Sequence, residues 1–144
     1  SGSNVGLSEI QVFPSANKAA GATVSASSQF NSGHAPSYAA DGVIGVHGSG
    51  EWASNNELNP WIQLNWSGSQ TITKIVLFDR INLWDNANSG VLSFSDGSSI
   101  YVPYIPADGT GIEIDFPEKT VTWVKFQATG RLGANVGLSE IQVY

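Results

Sequence analysis

Cysteine and methionine are both absent from the 144 residues, and only six Lys and Arg side chains stand against twelve Asp and Glu. The missing thiol excludes disulfide frameworks, thiolate metal centres and cysteine nucleophiles. The shortage of positive charge, a net of −6, disfavours electrostatic capture of nucleic acid and of anionic membrane surfaces. No run approaches the roughly 18 consecutive apolar residues of a spanning helix, and no basic and apolar leader opens the sequence. A soluble domain is therefore expected, with Ser1-Gly2-Ser3 reading as an appended scar. Charged residues reach only 12%, too few for a long solvated helix or coiled coil, whereas 41% hydrophobic and 10% aromatic residues are too many for a disordered segment. A chain of this length is expected to build one core.

Sixteen glycines, with abundant Ser, Asn and Thr, fill much of the remainder. Apolar residues recur with period two and are interrupted roughly every eight to twelve residues by Gly, Asn, Asp, Ser or Pro, the spacing of short antiparallel strands. Strands are predicted over residues 23–28, 61–66, 72–79, 90–95, 99–105, 111–116, 121–129 and 138–144. The near-continuous apolar run IVLFD predicts a strand covered on both faces, while WIQLNW and VTWVKF alternate as strands with one wet face do. Together they predict an all-β, antiparallel two-sheet sandwich. Asp96-Gly97 is the clearest hairpin turn and Asp108-Gly109 a second. Residues 29–59 show no sustained period, and a loop that long inside a compact domain is usually functional.

The chain repeats itself at its ends. Asn4 to Phe13 reads NVGLSEIQVF and Asn135 to Tyr144 reads NVGLSEIQVY. The separation is about one domain, so residues 1–13 read as the terminal strand of a preceding repeat or as an extension, and residues 14–144 as the domain proper. The plainer alternative is a first strand that pairs beside the last.

In order, the segments TVSASS, AADG, EWAS, WIQLNW, ITKIVLFDR, LSFSDGSS, VTWVKFQAT and GLSEIQVY resemble the discoidin, or coagulation factor 5/8 type C, superfamily over residues 22–144. Within it the chain is most similar to family 32-type carbohydrate-binding modules of secreted enzymes. The resemblance implies a galactose-binding-like jelly roll, a structural calcium ion and a ligand site on the loops at one end. It also implies a secreted or cell-surface location, a polysaccharide or glycan as partner, and neighbouring copies or a catalytic domain in the full-length polypeptide.

Calcium takes roughly six to eight oxygen ligands, which carboxylates and loop carbonyls supply. By resemblance these are Asp41 of the A-x-D-G loop and Glu140 of GLSE, with the carbonyls of Ser139 and of the loop from Tyr38 to Val43. Read without the family, Asp41-Gly42 is an ordinary turn and Glu140 a solvated strand residue. For the glycan, a sugar needs planar donors and acceptors for its hydroxyls and an aromatic face for its C–H surface, and residues 79–88 hold both. Arg80 and Asn86 fall where family 32 modules contact hydroxyls, Trp84 is a candidate platform, and Asn82 and Asp85 complete the set. The alternative has Arg80 pairing with Asp79 or Asp85 to brace the loop and Trp84 folding under it. Many galactose-binding relatives carry His after the Trp matching Trp52, where this chain has Ala53; His34 or His47 could substitute.

No catalytic role is expected: G-x-S-x-G, H-E-x-x-H and P-loop motifs are absent, and no carboxylate pair is distinguished by its spacing. Two other classes remain, an adhesion domain for a protein or membrane surface, and a structural repeat spacer. The first is disfavoured for membranes because only Arg80 and Arg131 fall on the expected loops.

Overall fold

The computed structural model describes Ile10 and residues 15–144. The terminal copy of the repeat therefore lies, apart from Ile10, outside the described residues. Among the described residues seven strands follow in order: β1 Thr23–Ala26, β2 Trp52–Ala53, β3 Trp61–Asp79, β4 Asn86–Phe94, β5 Ser99–Val102, β6 Ile112–Leu132 and β7 Gly137–Val143. Three short 3-10 turns, Lys18–Gly21, Ser32–His34 and Pro36–Ala40, lie among the first loops. All named pairings are antiparallel, along the path β2-β7-β3-β6-β4-β5 with β1 added to β3.

The two long strands make the sandwich. Residues 62–65 of β3 lie between β1 and residues 123–126 of β6, whereas residues 75–77 lie between β7 and residues 112–114. Between these halves the β3–β6 register breaks at Asn65/Gln70 and again at Ile72/Lys74. Irregularities of this kind bend and twist a strand, so each long strand passes from one layer into the other. The expected pairs 61–66 with 72–79, and 111–116 with 121–129, are thus halves of single bent strands. The polar residues between them, such as Ser67 and Gly68, read as turns in sequence but stay in strand geometry.

Side-chain alternation fills the space between layers. Ile62, Leu64 and Trp66 of β3, Val124 and Phe126 of β6, and Leu92 and Phe94 of β4 meet Ile75, Leu77, Leu138, Ile141 and Val143 in one buried cluster. At Asp96-Gly97 the predicted hairpin forms, with Gly97 at φ 85° and Asp96 accepting from the N–H of Ser98 at 2.9 Å. β2 has no counterpart among the expected strands: its two residues pair with Gly137 and Leu138, bringing the 42–50 loop to the same end of the sandwich as the loop after β3.

Candidate functional site

β3 ends at Asp79 and β4 begins at Asn86, so residues 80–85 bridge two buried strands. Asp79 fastens both ends of the bridge, its Oδ1 accepting from the N–H of Arg80 at 2.8 Å and of Ala87 at 3.1 Å. Its Oδ2 has no partner, and burial pushes the carboxyl up to about 7 despite those two bonds and the nearby Arg80. Asn82 Oδ1 accepts from the N–H groups of Trp84 at 2.8 Å and Asp85 at 2.6 Å, a side-chain turn of the kind Asn favours. Asn86 Nδ2 donates to the carbonyls of Arg80 at 3.2 Å and Asn82 at 3.1 Å. Asp85 Oδ1 accepts from Ala134 at 2.8 Å and Asn135 at 3.0 Å, tying the bridge to the β6–β7 connection. There Gly133 has φ 83°, and a Cβ on it would stand 1.9 Å from the Trp84 carbonyl. Asn82, Asp85 and Asn86 thus hold the loop's shape.

Arg80 is locked as well. Only 6% exposed, it donates from Nε at 3.0 Å and Nη2 at 2.8 Å to Oε1 of the fully buried Glu51, and from Nη1 to the Asn135 carbonyl. Asp85 Oδ2 stands 3.9 Å from Nη1. The partner is therefore chiefly Glu51 rather than Asp79 or Asp85. Glu51 Oε1 also accepts from Gly48 at 3.2 Å, which fastens the 42–50 loop to the site.

This frame leaves Trp84 71% exposed and Leu83 beside it 76% exposed. They border a cavity of about 240 Å³ lined also by His47, Ile81, Asn82 and Ala107. Of the two histidines, His47 reaches this cavity. His34 instead shares a hydrogen bond of 2.9 Å with Asn31 Oδ1 and packs edge-on to Phe30. Trp52 is buried with its Nε1 on the Ser28 carbonyl at 2.9 Å, and Trp66 is likewise internal.

A second polar cluster joins β7 to the 3-10 turn Pro36–Ala40. Glu140 is fully buried; Oε1 accepts from Gly42 N–H at 3.1 Å, while Oε2 finds no partner. Burial, and then the neighbouring Asp41 carboxylate, push Glu140 up to about 7. The hydroxyl of Ser139 is also buried without a partner. Among the described residues no group of three or more His, Asp or Glu side chains converges as a metal centre. Two adjacent carboxylates with an orphaned buried oxygen nonetheless form a donor set that suits a hard cation, provided backbone carbonyls supply the rest.

Sequence reasoning missed Glu51, Asn135 and the role of β2. The only signal was the turn-rich 42–50 loop just before EWAS, which does not reveal that Glu51 faces Arg80.

Solved structures share this fold. Chitosan-binding module 1 of a chitosanase/glucanase from Paenibacillus sp. IK-5 superposes with a TM-score of 0.74 at 24% identity, covering 90% of this chain and 99% of that one. A family 32 carbohydrate-binding module of Clostridium perfringens, in complex with GalNAc-β-1,3-galactose, gives 0.72 at 20% identity over 90% and 99%. A fucose-binding module of Streptococcus pneumoniae gives 0.71 at 18% identity over 90% and 94%. The architecture is that of the discoidin-like, galactose-binding-like β-sandwich, as the sequence resemblance implies. Residues 17–144 match a family described as a domain of unknown function, DUF7402, and the chain belongs to that family. No curated protein matches it.

Proposed function

We propose that this chain is a non-catalytic carbohydrate-binding module whose glycan rests on Trp84 at the mouth of the His47–Asn82 cavity. One observation carries the reading: a 71% exposed indole stands on a loop whose polar side chains are engaged in holding it there. Leu83 and Trp84 side by side in water on a rigid mount make an apolar patch of the kind that marks an interaction site, and a ligand that covers it gains the burial. The fold neighbours named for chitosan, fucose and GalNAc-galactose binding support the class. Because Arg80 is paired with Glu51, sugar hydroxyls would meet the remaining Asp85 Oδ2 and His47. A small, open site exchanges sugar–water hydrogen bonds for protein ones at little net gain, so single-site affinity is weak. Repetition in a tandem array of a secreted protein would raise it through effective concentration. A calcium ion held by Asp41 and Glu140, with the Ser139 carbonyl, would neutralise the buried carboxylate and bind the 41–43 loop to β7.

The test is retention on a glycan array and on insoluble polysaccharides, chitosan included, for wild type and Trp84→Ala. Trp84→Ala is expected to bind about tenfold more weakly or worse, equivalent to ~1.4 kcal/mol, with unchanged melting. Equal retention by the variant would remove Trp84 from the site. Silence of the folded wild type would move the reading to protein adhesion or to a repeat spacer.

A further inference from the structure

Three segments far apart in the chain wall the cavity beside Trp84. The first is the tip of a hairpin in the 42–50 loop. Val46 and Ser49 exchange backbone hydrogen bonds of 3.0 and 2.9 Å, which presents His47 between them, with Gly48 at φ 76° closing the turn. The second is the bridge from Ile81 to Trp84, and the third is Ala107 beside the Asp108-Gly109 turn, where Asp108 Oδ1 accepts from Thr110 N–H at 3.0 Å. That turn closes onto the bridge, since a Cβ on Gly109 would stand 3.2 Å from Cδ1 of Ile81.

Ile81, Leu83, Trp84 and Ala107 give the cavity apolar walls, and His47 and Asn82 bring its polar side chains. At about 240 Å³ it is smaller than the roughly 300–1,000 Å³ pockets that enclose drug-sized ligands, so it takes one edge of a sugar and not a chain. The loop's own hydrogen bonds define which end of Asn82 a ligand meets. Oδ1 already accepts from the N–H groups of Trp84 and Asp85, so the amide offers Nδ2, a donor with no acceptor among the described residues.

Sugars differ in what they would put into such a space. A hydroxyl against Ile81, Leu83 or Ala107 gives up water without a new partner, and an ammonium group gives up more. A bare methyl group would use the walls and not the donor. An acetamido group suits both, because its methyl covers apolar side chains while its carbonyl oxygen accepts from Asn82 Nδ2. We propose that this cavity is a subsite for an acetamido group, and that the glycan recognised at Trp84 carries an N-acetylated hexosamine. The proposal rests on the reading of Trp84 as the glycan platform, and it disfavours free-amine sugars such as those of chitosan.

The test is titration calorimetry of the full chain with two series of ligands. One is three β-1,4-linked hexasaccharides that differ only in an acetamido, ammonium or hydroxyl group at C2; the other is the methyl glycosides of GalNAc and galactose. In at least one series the acetylated member is expected to bind about tenfold more tightly than its partners. Asn82→Asp keeps an oxygen for the N–H groups of Trp84 and Asp85 and removes the donor, so it is expected to melt with the wild type and to lose that preference. Ala107→Phe, which fills the cavity from an exposed turn, is expected to lose it as well and carries the test alone if Asn82→Asp misfolds. Equal or weaker binding of the acetylated member in both series overturns the proposal, as does a preference that survives in the folded variants. Trp84→Ala separates the proposal from the reading beneath it. Binding of an unacetylated ligand that is as tight as its acetylated counterpart and needs Trp84 would leave the platform standing and remove the subsite. Silence of every ligand in both series also overturns the proposal, and the glycan array then decides the platform.

Discussion

The guanidinium of Arg80 and the indole of Trp84 lie four residues apart and carry opposite burdens. Arg80 neutralises the wholly buried Glu51, and removing one member of such a pair strands the other charge at a cost of about 3–5 kcal/mol. Arg80→Ala is therefore expected to lower the melting temperature by on the order of 10 °C, whether or not a glycan is present. A variant that melts with the wild type would show that the pair contributes little. From sequence, Arg80 is expected to contact ligand or to brace the loop; its burial against Glu51 shows that the fold itself draws on this side chain. Trp84, by contrast, touches little of the core, which is why its truncation is predicted to act on binding alone.

Elements meet at the two polar clusters, and each cluster joins segments far apart in the chain. Glu140 on β7 holds the turn after Pro36–Ala40 through Gly42 N–H, across 98 positions. An ion bound there only in the native state would stabilise it by mass action, about 2.7 kcal/mol at a hundredfold excess over the dissociation constant. EDTA is expected to lower the melting temperature of the wild type and added calcium to restore it, with Glu140→Gln indifferent to both. Absence of a divalent ion from elemental analysis, together with melting insensitive to either reagent, would dismiss the site. The strands themselves were largely legible, because alternation is local. Their joining into β3 and β6 was not, since polar residues in a bent strand look like a turn until a partner strand pairs with them.

For the whole molecule, the buried Asp79 imposes a pH dependence. Its carboxyl has an ordinary value of 3.8 and a folded value of about 7, so the native state binds the proton more tightly than the unfolded chain does. Its contribution is fully present below about pH 4 and is lost as pH rises through about 7. Glu140, raised for the same main reason, adds to that slope, whereas Asp96 and Asp108 are held down by the hydroxyls of Ser98 and Thr110 and act the other way in more acidic solution. Stability in EDTA is expected to decline across this window and to decline less in Asp79→Asn. Parallel profiles for the two proteins would show that Asp79 does not titrate there.

By itself the sequence determined that the protein is an antiparallel β-sandwich, that its ends repeat one stretch of sequence, and that residues 79–88 concentrate polar and aromatic side chains. Period-two alternation, Asp-Gly turns and a repeat that differs only at its last residue are written in the chain itself, so no tertiary information is needed to read them. The tertiary structure alone decided that Arg80 faces Glu51, that His47 rather than His34 joins the cavity, and that Asn17 stands beside the end of β7. Those outcomes depend on which loops the bent strands bring to one end of the sandwich, and a side chain's partner across 29 or 126 positions leaves no periodic trace in the chain.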